Sequence, residues 1–263
     1  MKADFDHIAK NYDTDFTHSE IGKRQRNVVY KYLEELPNQQ HILELNCGTG
    51  EDAIWFAKKI NTVLATDISK EMIHVAKEKS KEIKNLKFQQ LDVNNLKSNS
   101  ENLVQKSKFD LIFSNFGGLN CLNKQELQDF FRTASKLLHK NGKLILVIMP
   151  KNTLWENIYF IVKGQFKKAF RRNAKTALTV NVAGNKVQTW YFNPKQIKSL
   201  SKVNFKVVQT KPIGFFLPPS YLECYFKNHK RFLTILGTLE KTIGRFGFLS
   251  RYSDHYMIEL QIK

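Results

Sequence analysis

The sequence has few cysteines and no long apolar run, and these two absences exclude several classes of protein. Three cysteines among 263 residues cannot form the dense disulfide framework of a small secreted fold. The apolar stretches fall short of the roughly 18 residues that a membrane-spanning helix needs. The N-terminal segment lacks the apolar centre of a secretory signal. We therefore expect a cytoplasmic chain without a membrane span.

Acidic residues are scarce in the second half of the chain. Residues 1–150 contain 22 basic and 19 acidic side chains, whereas residues 151–263 contain 20 basic and 5 acidic ones. The formal net charge of +18 therefore divides into +3 and +15. Such an excess is typical of surfaces that meet a membrane, RNA or an acidic carrier protein, and it also fits a merely solvated basic face. Composition leaves these partners open.

A regular alternation of apolar and amphipathic segments fills residues 41–150, which we expect to form the core. The alternation is typical of βαβ units with a parallel sheet. We predict strands at 41–45, 62–66, 86–91, 109–113 and 143–149, and helices from about residue 51, over 70–84 and over 124–138. Residues 1–40 are predicted to form a helical lid on this core. The 12% aromatic content excludes an intrinsically disordered chain.

After residue 150 the alternation breaks down. The sequence predicts an amphipathic basic segment at 153–172, a hairpin at 178–192, a short helix from Asn193-Pro194, a strand at 204–209, a helical insertion at 213–250 and a last strand at 256–262. Residues 151–263 are thus expected to supply a substrate cap and the last strands of the same sheet, within one domain.

A glycine-rich turn follows the first predicted strand, in the segment Ile42-Leu43-Glu44-Leu45-Asn46-Cys47-Gly48-Thr49-Gly50. Glycines there let the backbone approach a nucleotide-like ligand closely, and Asp67, 17 residues after the turn, suits a ribose. A dinucleotide site would need a third glycine, but Ala53 holds that position and the Glu51 carboxylate would repel a pyrophosphate. An NAD-dependent oxidoreductase is therefore the weaker interpretation.

Four ordered motifs resemble those of the class I S-adenosylmethionine-dependent methyltransferases. Glu44-x-Asn46-x-Gly48-x-Gly50 is similar to their motif I. Asp67 and Asp92 match the family's acids for the ribose and for the adenine amino group. The segment Phe109–Asn115 looks like the motif beside the methyl-transfer site, and Asn141-Gly142-Lys143 like the pattern that follows it. An upstream segment from Phe5 to Asp13 is similar to the family's N-terminal motif, so the resemblance spans about residues 5–150.

The resemblance implies a fold, a cofactor and a site. The fold would be α/β, with a Rossmann-like, doubly wound, seven-stranded mixed sheet and a helical, aromatic substrate cap in the C-terminal half. The cofactor would be S-adenosylmethionine, with no metal. The residues implied to contact it are Tyr12, Arg24, Glu44, Asn46, Cys47, Gly48, Gly50, Asp67, Ile68, Met72, Asp92, Val93, Ser114 and Asn115.

Asn46 departs from the family's motif, because it replaces the first glycine. Among residues with a side chain, asparagine is one of the least strained at positive φ. We therefore predict that the turn forms, with an altered affinity for the cofactor.

The sequence offers no firm catalytic base. Methyl transfer is an in-line displacement that mainly needs alignment and exclusion of water, with a base only for some acceptors. His18 in the lid and His255 at the last strand are the candidates. Ser114-Asn115-Phe116-Gly117 lacks the two prolines typical of adenine or glutamine N-methylation. Cys121 lacks the preceding proline typical of cytosine methylation, and we expect it to be a buried filler.

Aromatic residues concentrate at 151–192 and 213–250, where the cap is expected. They favour a hydrophobic small-molecule or lipid-like acceptor. Within 153–172, aromatic residues recur at helical spacing beside lysines, as in a helix that lies on anionic lipid or one that packs on its own domain. Two alternatives stay open: RNA methylation, which the basic half motivates, and a non-catalytic cofactor-binding protein, which Asn46 and the missing base motivate.

Overall fold

The computed structural model describes residues 6–99, 108–182 and 184–263. Nine strands form two sheets within this part of the chain. Their bounds are β1 (His41–Leu45), β2 (Thr62–Asp67), β3 (Leu86–Gln90), β4 (Phe109–Ser114), β5 (Leu138–Ile148), β6 (Leu178–Val182), β7 (Asn185–Thr189), β8 (Phe205–Ile213) and β9 (His255–Ile262). The predicted seven-stranded mixed sheet is confirmed, and β6 and β7 form a separate hairpin.

The strand order of the large sheet is β3-β2-β1-β4-β5-β9-β8. Strands β1 to β5 run parallel, and β9 lies antiparallel between β5 and β8. The order reverses between β1 and β4, where Leu45 pairs with Ser114. In open α/β sheets the carboxyl edge at such a switch point forms the ligand crevice. The topology therefore directs attention to the ends of β1 and β4.

Nine α-helices have both of their ends within the described residues. They are α1 (Glu20–Leu33), α2 (Glu51–Lys58), α3 (Lys70–Lys79), α4 (Lys124–Leu137), α5 (Leu154–Val162), α6 (Phe166–Ala169), α7 (Pro194–Ser201), α8 (Glu223–Phe226) and α9 (Lys230–Thr242). One face of the sheet packs against α4 and α7, and the other against α1, α2, α3 and α9. None of the described helices has the length and apolar character needed to cross a membrane.

Helix starts follow local capping chemistry. The Ser69 side chain accepts a hydrogen bond from the Met72 amide and so caps α3 directly after β2. Asn123 and Glu126 form a reciprocal capping box at the start of α4. These caps fix where the helices leave the sheet, and α3 thereby begins at the carboxyl edge.

Three boundaries differ from the sequence prediction by four residues or more. Strand β5 begins at Leu138 rather than Lys143, because Leu138 already pairs with Phe109 before an irregularity in the register. Strand β8 continues past residue 209 to Ile213, which pairs with His255; its proline needs no ladder donor on an edge strand. Helix α3 ends at Lys79 rather than at residue 84.

The segment 153–172 is not one helix. Helix α5 ends at Val162, and the backbone turns at Gly164, whose φ is +67°. A short helix, α6, follows. A left-handed residue of this kind commonly ends a helix, and glycine adopts it without steric cost. The aromatic residues of this segment therefore belong to two short helices with separate orientations.

Candidate active site

The glycine-rich turn between β1 and α2 has the left-handed backbone that the sequence predicts. Asn46, Gly48 and Gly50 have φ angles of +56°, +52° and +79°. A Cβ at Gly50 would lie 2.9 Å from the side chains of Ala76 and Phe88. Asparagine at position 46 is thus compatible with the turn, whereas Gly50 is required by both its backbone and its close packing.

Asp67 holds the turn at the end of β2. Its Oδ2 accepts a hydrogen bond from the Gly48 amide at 2.8 Å, and its Oδ1 accepts one from the Ser69 amide at 2.9 Å. Burial raises the pKa of Asp67, and these two amide hydrogen bonds oppose the rise. Each carboxylate oxygen keeps a further acceptor position. The carboxylate is therefore fixed in orientation and still able to accept hydrogen bonds from a ligand.

Three buried side-chain oxygens at the ends of β1 and β4 have no hydrogen-bond partner among the described residues. They are Glu44 Oε2, Asn46 Oδ1 and Ser114 Oγ. Buried polar atoms are nearly always satisfied in folded proteins. Burial and the nearby Asp52 carboxylate raise the pKa of Glu44. The edge thus carries acceptors that a ligand with a positive charge or hydrogen-bond donors would satisfy.

An arginine that the sequence prediction did not include lies next to this edge. Arg26 Nη1 donates to Asp52 Oδ1, and Asn115 Nδ2 donates to Asp52 Oδ2 at 2.9 Å. The Arg26 guanidinium also lies 5.1 Å from the centre of the Phe116 ring. Burial lowers the pKa of Arg26, but Asp52 together with Tyr30 and Tyr12 outweighs burial and raises this pKa, which keeps the guanidinium charged. The group joins α1, the start of α2 and the end of β4.

Arg24, which was predicted to contact the cofactor, does not join this group. Its Nη2 lies 3.8 Å from Glu20 Oε2 and donates to the Lys230 carbonyl at 3.5 Å, on the side of α1 that faces α9. The signal for Arg26 was present in the sequence, because Arg26 lies three residues before the buried Val29 and seven before the buried Leu33.

The N-terminal segment lies over the turn. Tyr12 approaches Gly48, where a Cβ would be 3.9 Å from the tyrosine ring. Asp13 accepts hydrogen bonds from Thr49 Oγ1 at 2.5 Å and Lys79 Nζ at 2.6 Å. Burial raises the pKa of Tyr12, while Arg26 opposes the rise. These contacts tie the segment before α1 to the turn and to α3.

A second group of predicted residues lies beside the end of β3. Ile68 and Asp92 line an open depression of about 290 Å³ together with Gln90, Leu91, Asn95 and Asn99. Asp92 Oδ1 accepts a hydrogen bond from the Asn94 amide at 2.9 Å. The other predicted members, Cys47, Met72 and Val93, are buried. The predicted set therefore runs from the turn along the carboxyl ends of β2 and β3.

The two histidine candidates have different surroundings. His18 is half exposed, and its Nε2 lies 3.7 Å from Glu51 Oε2 on the outer side of the turn. His255 is mostly buried at the start of β9, and its ring centre lies 5.4 Å from that of Phe116. Phe116 directly follows Asn115, so His255 is the histidine beside the end of β4.

Asp254 lies next to His255, and Arg172 lies next to Asp254. His255 Nδ1 lies 3.2 Å from Asp254 Oδ2, and Arg172 Nη2 lies 3.4 Å from Asp254 Oδ1. Burial disfavours ionisation of Asp254, but His255 and Arg172 outweigh it and hold the pKa of this carboxyl at about 2. Asp254 is therefore ionised at neutral pH, and its carboxylate lies beside the imidazole ring.

Cys121 differs from the expectation of a buried filler. It is exposed, and its thiol donates to the Gly118 carbonyl at 3.1 Å.

Comparison with known proteins assigns the part of the chain that carries this edge to a known type of domain. A family model described as a methyltransferase domain matches residues 42–142, which contain the turn, Asp67, Asp92 and the end of β4. The resemblance to the class I S-adenosylmethionine-dependent methyltransferases is thus confirmed over this methyltransferase domain. Its cofactor is accordingly S-adenosylmethionine.

Individual proteins with similar sequences or structures extend the comparison. An uncharacterized protein of Methanocaldococcus jannaschii, MJ1252, is 28% identical over 92% of this chain and 91% of its own length. Malonyl-[acyl-carrier protein] O-methyltransferase 1 of Ilyobacter polytropus is 32% identical over 59% of this chain and 54% of its own length. The structure of the CcbJ methyltransferase from Streptomyces caelestis covers 99% of this chain and 98% of its own, at 15% identity and a TM-score of 0.64. That likeness shows the shared fold.

The residues at the carboxyl edge of this methyltransferase fit the cofactor. S-adenosylmethionine carries a sulfonium and an ammonium, and the edge holds three buried carboxylates, Glu44, Asp52 and Asp67, against one buried arginine, Arg26. The unpartnered oxygens of Glu44 and Asn46 are acceptors for such cationic groups. A pyrophosphate, in contrast, would be repelled by this set of carboxylates.

Proposed function

We propose that this methyltransferase acts on a hydrophobic small-molecule or lipid-like acceptor that binds between the end of β4 and the cap. One observation carries the proposal. Phe116, Trp155 and Phe216 come from three separate segments, and all three are partly buried against the core cluster that packs on α1, α2 and α9. Trp155 Nε1 donates a hydrogen bond to the Phe216 carbonyl at 3.1 Å, so the rest of the indole is left for apolar contacts. Such walls favour an apolar acceptor over a small polar one.

For the cofactor we propose the following contacts. Asp67 accepts from the ribose hydroxyls and Asp92 from the adenine amino group, in the depression beside Ile68. Arg26 replaces Arg24 beside the methionine end, together with Tyr12, Glu44 and Asn46. The backbone of Cys47, Gly48 and Gly50 approaches the cofactor closely, with Met72 and Val93 packed behind and with Ser114 and Asn115 beside the transferred methyl group.

When bound, the cofactor supplies an electrophilic methyl group, so the protein mainly has to align the acceptor and exclude water. The N-terminal segment over the turn and the aromatic residues of the cap support the exclusion of water. For an acceptor that must lose a proton, we propose His255 Nε2 as the base, because the Asp254 carboxylate lies 3.2 Å from Nδ1 and favours the proton on that nitrogen. His18 is exposed on the other side of the turn and does not serve this role.

RNA methylation is the second candidate function. The observation in its favour is the charge of residues 151–263, with 20 basic and 5 acidic side chains. The partly buried aromatic residues Phe116, Trp155 and Phe216 favour the hydrophobic acceptor instead. We also propose a cytoplasmic location, because Cys47, Cys121 and Cys224 are all unpaired, as is usual in a reducing compartment.

A radiolabelled methyl donor tests the acceptor class. The purified chain would be incubated with the donor and with fatty acids, alkylphenols, small polar amines or total RNA, and the organic and aqueous products counted separately. The proposal expects label in the organic phase, and it expects Trp155→Ala to lower this transfer while leaving the affinity for S-adenosylhomocysteine unchanged. Label confined to RNA or to the polar amines would contradict it.

A further inference from the structure

Helix α5 of the cap presents apolar residues to solvent and its acidic residue to the interior. Leu154, Ile158, Ile161 and Val162 are 40%, 51%, 41% and 80% exposed, and their spacing puts them on one helical face. Glu156 on the opposite face is 1% exposed, and its carboxylate accepts from Arg171 and Arg172. This polarity is the reverse of that of an ordinary surface helix.

Helix α9 also turns apolar residues toward solvent, although Leu233 and Leu236 on its inner side are buried as well. Phe232, Ile235 and Leu239 are 46%, 59% and 40% exposed and lie three and four residues apart. Glu240 on the inner side is 1% exposed, and its carboxylate accepts from the amides of Phe215, Phe216 and Leu217. Two separate helices thus satisfy a buried glutamate inside the protein and turn aliphatic and aromatic residues outward.

Ring contacts join the two helices. Trp155 on α5 packs edge-on against Phe226 of α8 at 5.7 Å, and Phe226 stacks on Phe232 of α9 at 6.1 Å. We call the exposed apolar residues of α5, α6, α8 and α9, with Tyr221, the cap face. Among the described residues, 17 large apolar side chains are exposed, and 16 of them lie between residues 154 and 252, ten of these in the cap face. A concentration of this size marks an interaction surface.

The charges around the cap face have one sign. All five acidic residues of the second half are engaged inside: Glu156, Glu240, Asp254 and Glu259 are buried, and Glu223 accepts from the amides of Glu20 and Ile21. Lys163, Lys167, Lys168, Lys227 and Arg231 are exposed beside the apolar residues. Within the described part of residues 151–263, no carboxylate offsets these cations on the surface.

We infer that the cap face binds an anionic lipid surface. An exposed apolar stripe with flanking lysines is the composition of a helix that inserts into the boundary between headgroups and acyl chains. RNA would be attracted by the lysines, but it leaves exposed isoleucine, leucine and valine unused. A second copy of the chain would bring two surfaces of the same sign together. An anionic lipid surface suits both features, because its headgroups attract the lysines and its acyl chains take up the apolar side chains.

The inference also bears on the acceptor. A methyltransferase that lies on a membrane through its cap could take its acceptor from the lipid phase, and this extension rests on the proposed hydrophobic acceptor. The binding of lipid itself does not rest on it. The test therefore measures vesicle binding without any acceptor, and affinity for S-adenosylhomocysteine without any vesicle.

Flotation with vesicles tests the inference. The chain should float with phosphatidylcholine vesicles that contain about 30 mol % phosphatidylglycerol and stay behind with phosphatidylcholine alone. The triple variant Ile158→Gln, Val162→Gln and Ile235→Gln should lower this binding roughly tenfold or more. The matched control is Val203→Gln with Val208→Gln, since these valines are 75% and 49% exposed outside the cap face. Its binding should equal that of the unchanged chain.

A charge series separates attraction from insertion. Lys163→Gln, Lys167→Gln and Lys168→Gln together should weaken binding to anionic vesicles at least tenfold, whereas Lys84→Gln, Lys87→Gln and Lys140→Gln should have little effect. Unchanged affinity for S-adenosylhomocysteine shows that each variant is folded. No flotation of the unchanged chain, equal losses in the controls, a tighter complex with total RNA than with anionic vesicles, or a dimer formed through the cap face would overturn the inference.

Discussion

The two halves of this methyltransferase use buried charge in different ways. At the carboxyl edge of β1, β2 and β4, carboxylates outnumber cations, and oxygens of Glu44, Asn46 and Ser114 have no hydrogen-bond partner among the described residues. In the cap, every carboxylate is engaged by arginine, lysine, histidine or backbone amides. The first arrangement leaves binding capacity for a ligand, and the second holds the cap in place. The difference separates residues that should affect cofactor affinity from residues that should affect stability.

The largest expected effect tests the cap side of this comparison. Glu156→Ala leaves Arg172, which is 8% exposed, without its main partner, and breaking a buried ion pair in this way costs about 3–5 kcal/mol. The free energy of unfolding from urea titration should fall by about 3 kcal/mol. Glu78→Ala, at an exposed pair with Lys81, should leave it unchanged. Equal stabilities of the two variants would show that the Glu156 cluster does not hold the cap.

The next effect tests the cofactor side. Asp67→Asn leaves one acceptor oxygen for two backbone donors, Gly48 and Ser69, so the turn loses a charge-assisted hydrogen bond. Affinity for S-adenosylhomocysteine should fall by about tenfold to a hundredfold in calorimetry. Asp110→Asn is the matched control, because Asp110 accepts from the His41 amide at the opposite edge of the sheet. A loss of affinity in the control as large as that of Asp67→Asn would contradict the assignment.

These two variants also show how far the sequence determined the site. The strand ends at Leu45, Asp67 and Ser114 and the left-handed Asn46 were predictable, because each depends on a local apolar run or on turn chemistry. The sequence prediction named Arg24, whereas the structure places Arg26 beside the end of β4, in accord with the helical spacing of Arg26 to Val29 and Leu33. Which of the two arginines faces the sheet depends on how α1 packs, and this packing in turn depends on where the helix begins.

Which residues of α5 and α9 face solvent was not predictable from the sequence. Periodicity shows that a helix has an apolar face but does not show which face points inward. The inward side of each helix carries a glutamate that is bound by distant residues. Arg171 and Arg172 donate to Glu156, and the amides of residues 215–217 donate to Glu240. The start of β5 at Leu138 was likewise not predictable from the sequence, because the pairing of Leu138 with Phe109 is a long-range contact.

A smaller effect concerns pH. The pKa of Asp254 lies at about 2 in the folded chain, below its ordinary 3.8, so the ionised carboxyl stabilises the fold above pH 4. That stability should be lost as the pH falls from about 4 through 2, by roughly 1–2 kcal/mol. Asp254→Asn should flatten the change in thermal unfolding temperature over this window. Asp129→Asn, an exposed control, should keep it, and an unflattened profile for Asp254→Asn would rule out the proposed role of this carboxyl.

The most direct test of the division between the halves is a calorimetric titration with S-adenosylhomocysteine at about 0.1 M and about 0.5 M salt. The cofactor half has a balance of only +3, and its charges at the site are buried. The account predicts one binding site whose affinity changes less than about threefold with salt, and it predicts the same affinity for the Lys163, Lys167 and Lys168 variant. Absence of binding at millimolar ligand, or an affinity that falls with salt and with the loss of these lysines, would contradict it.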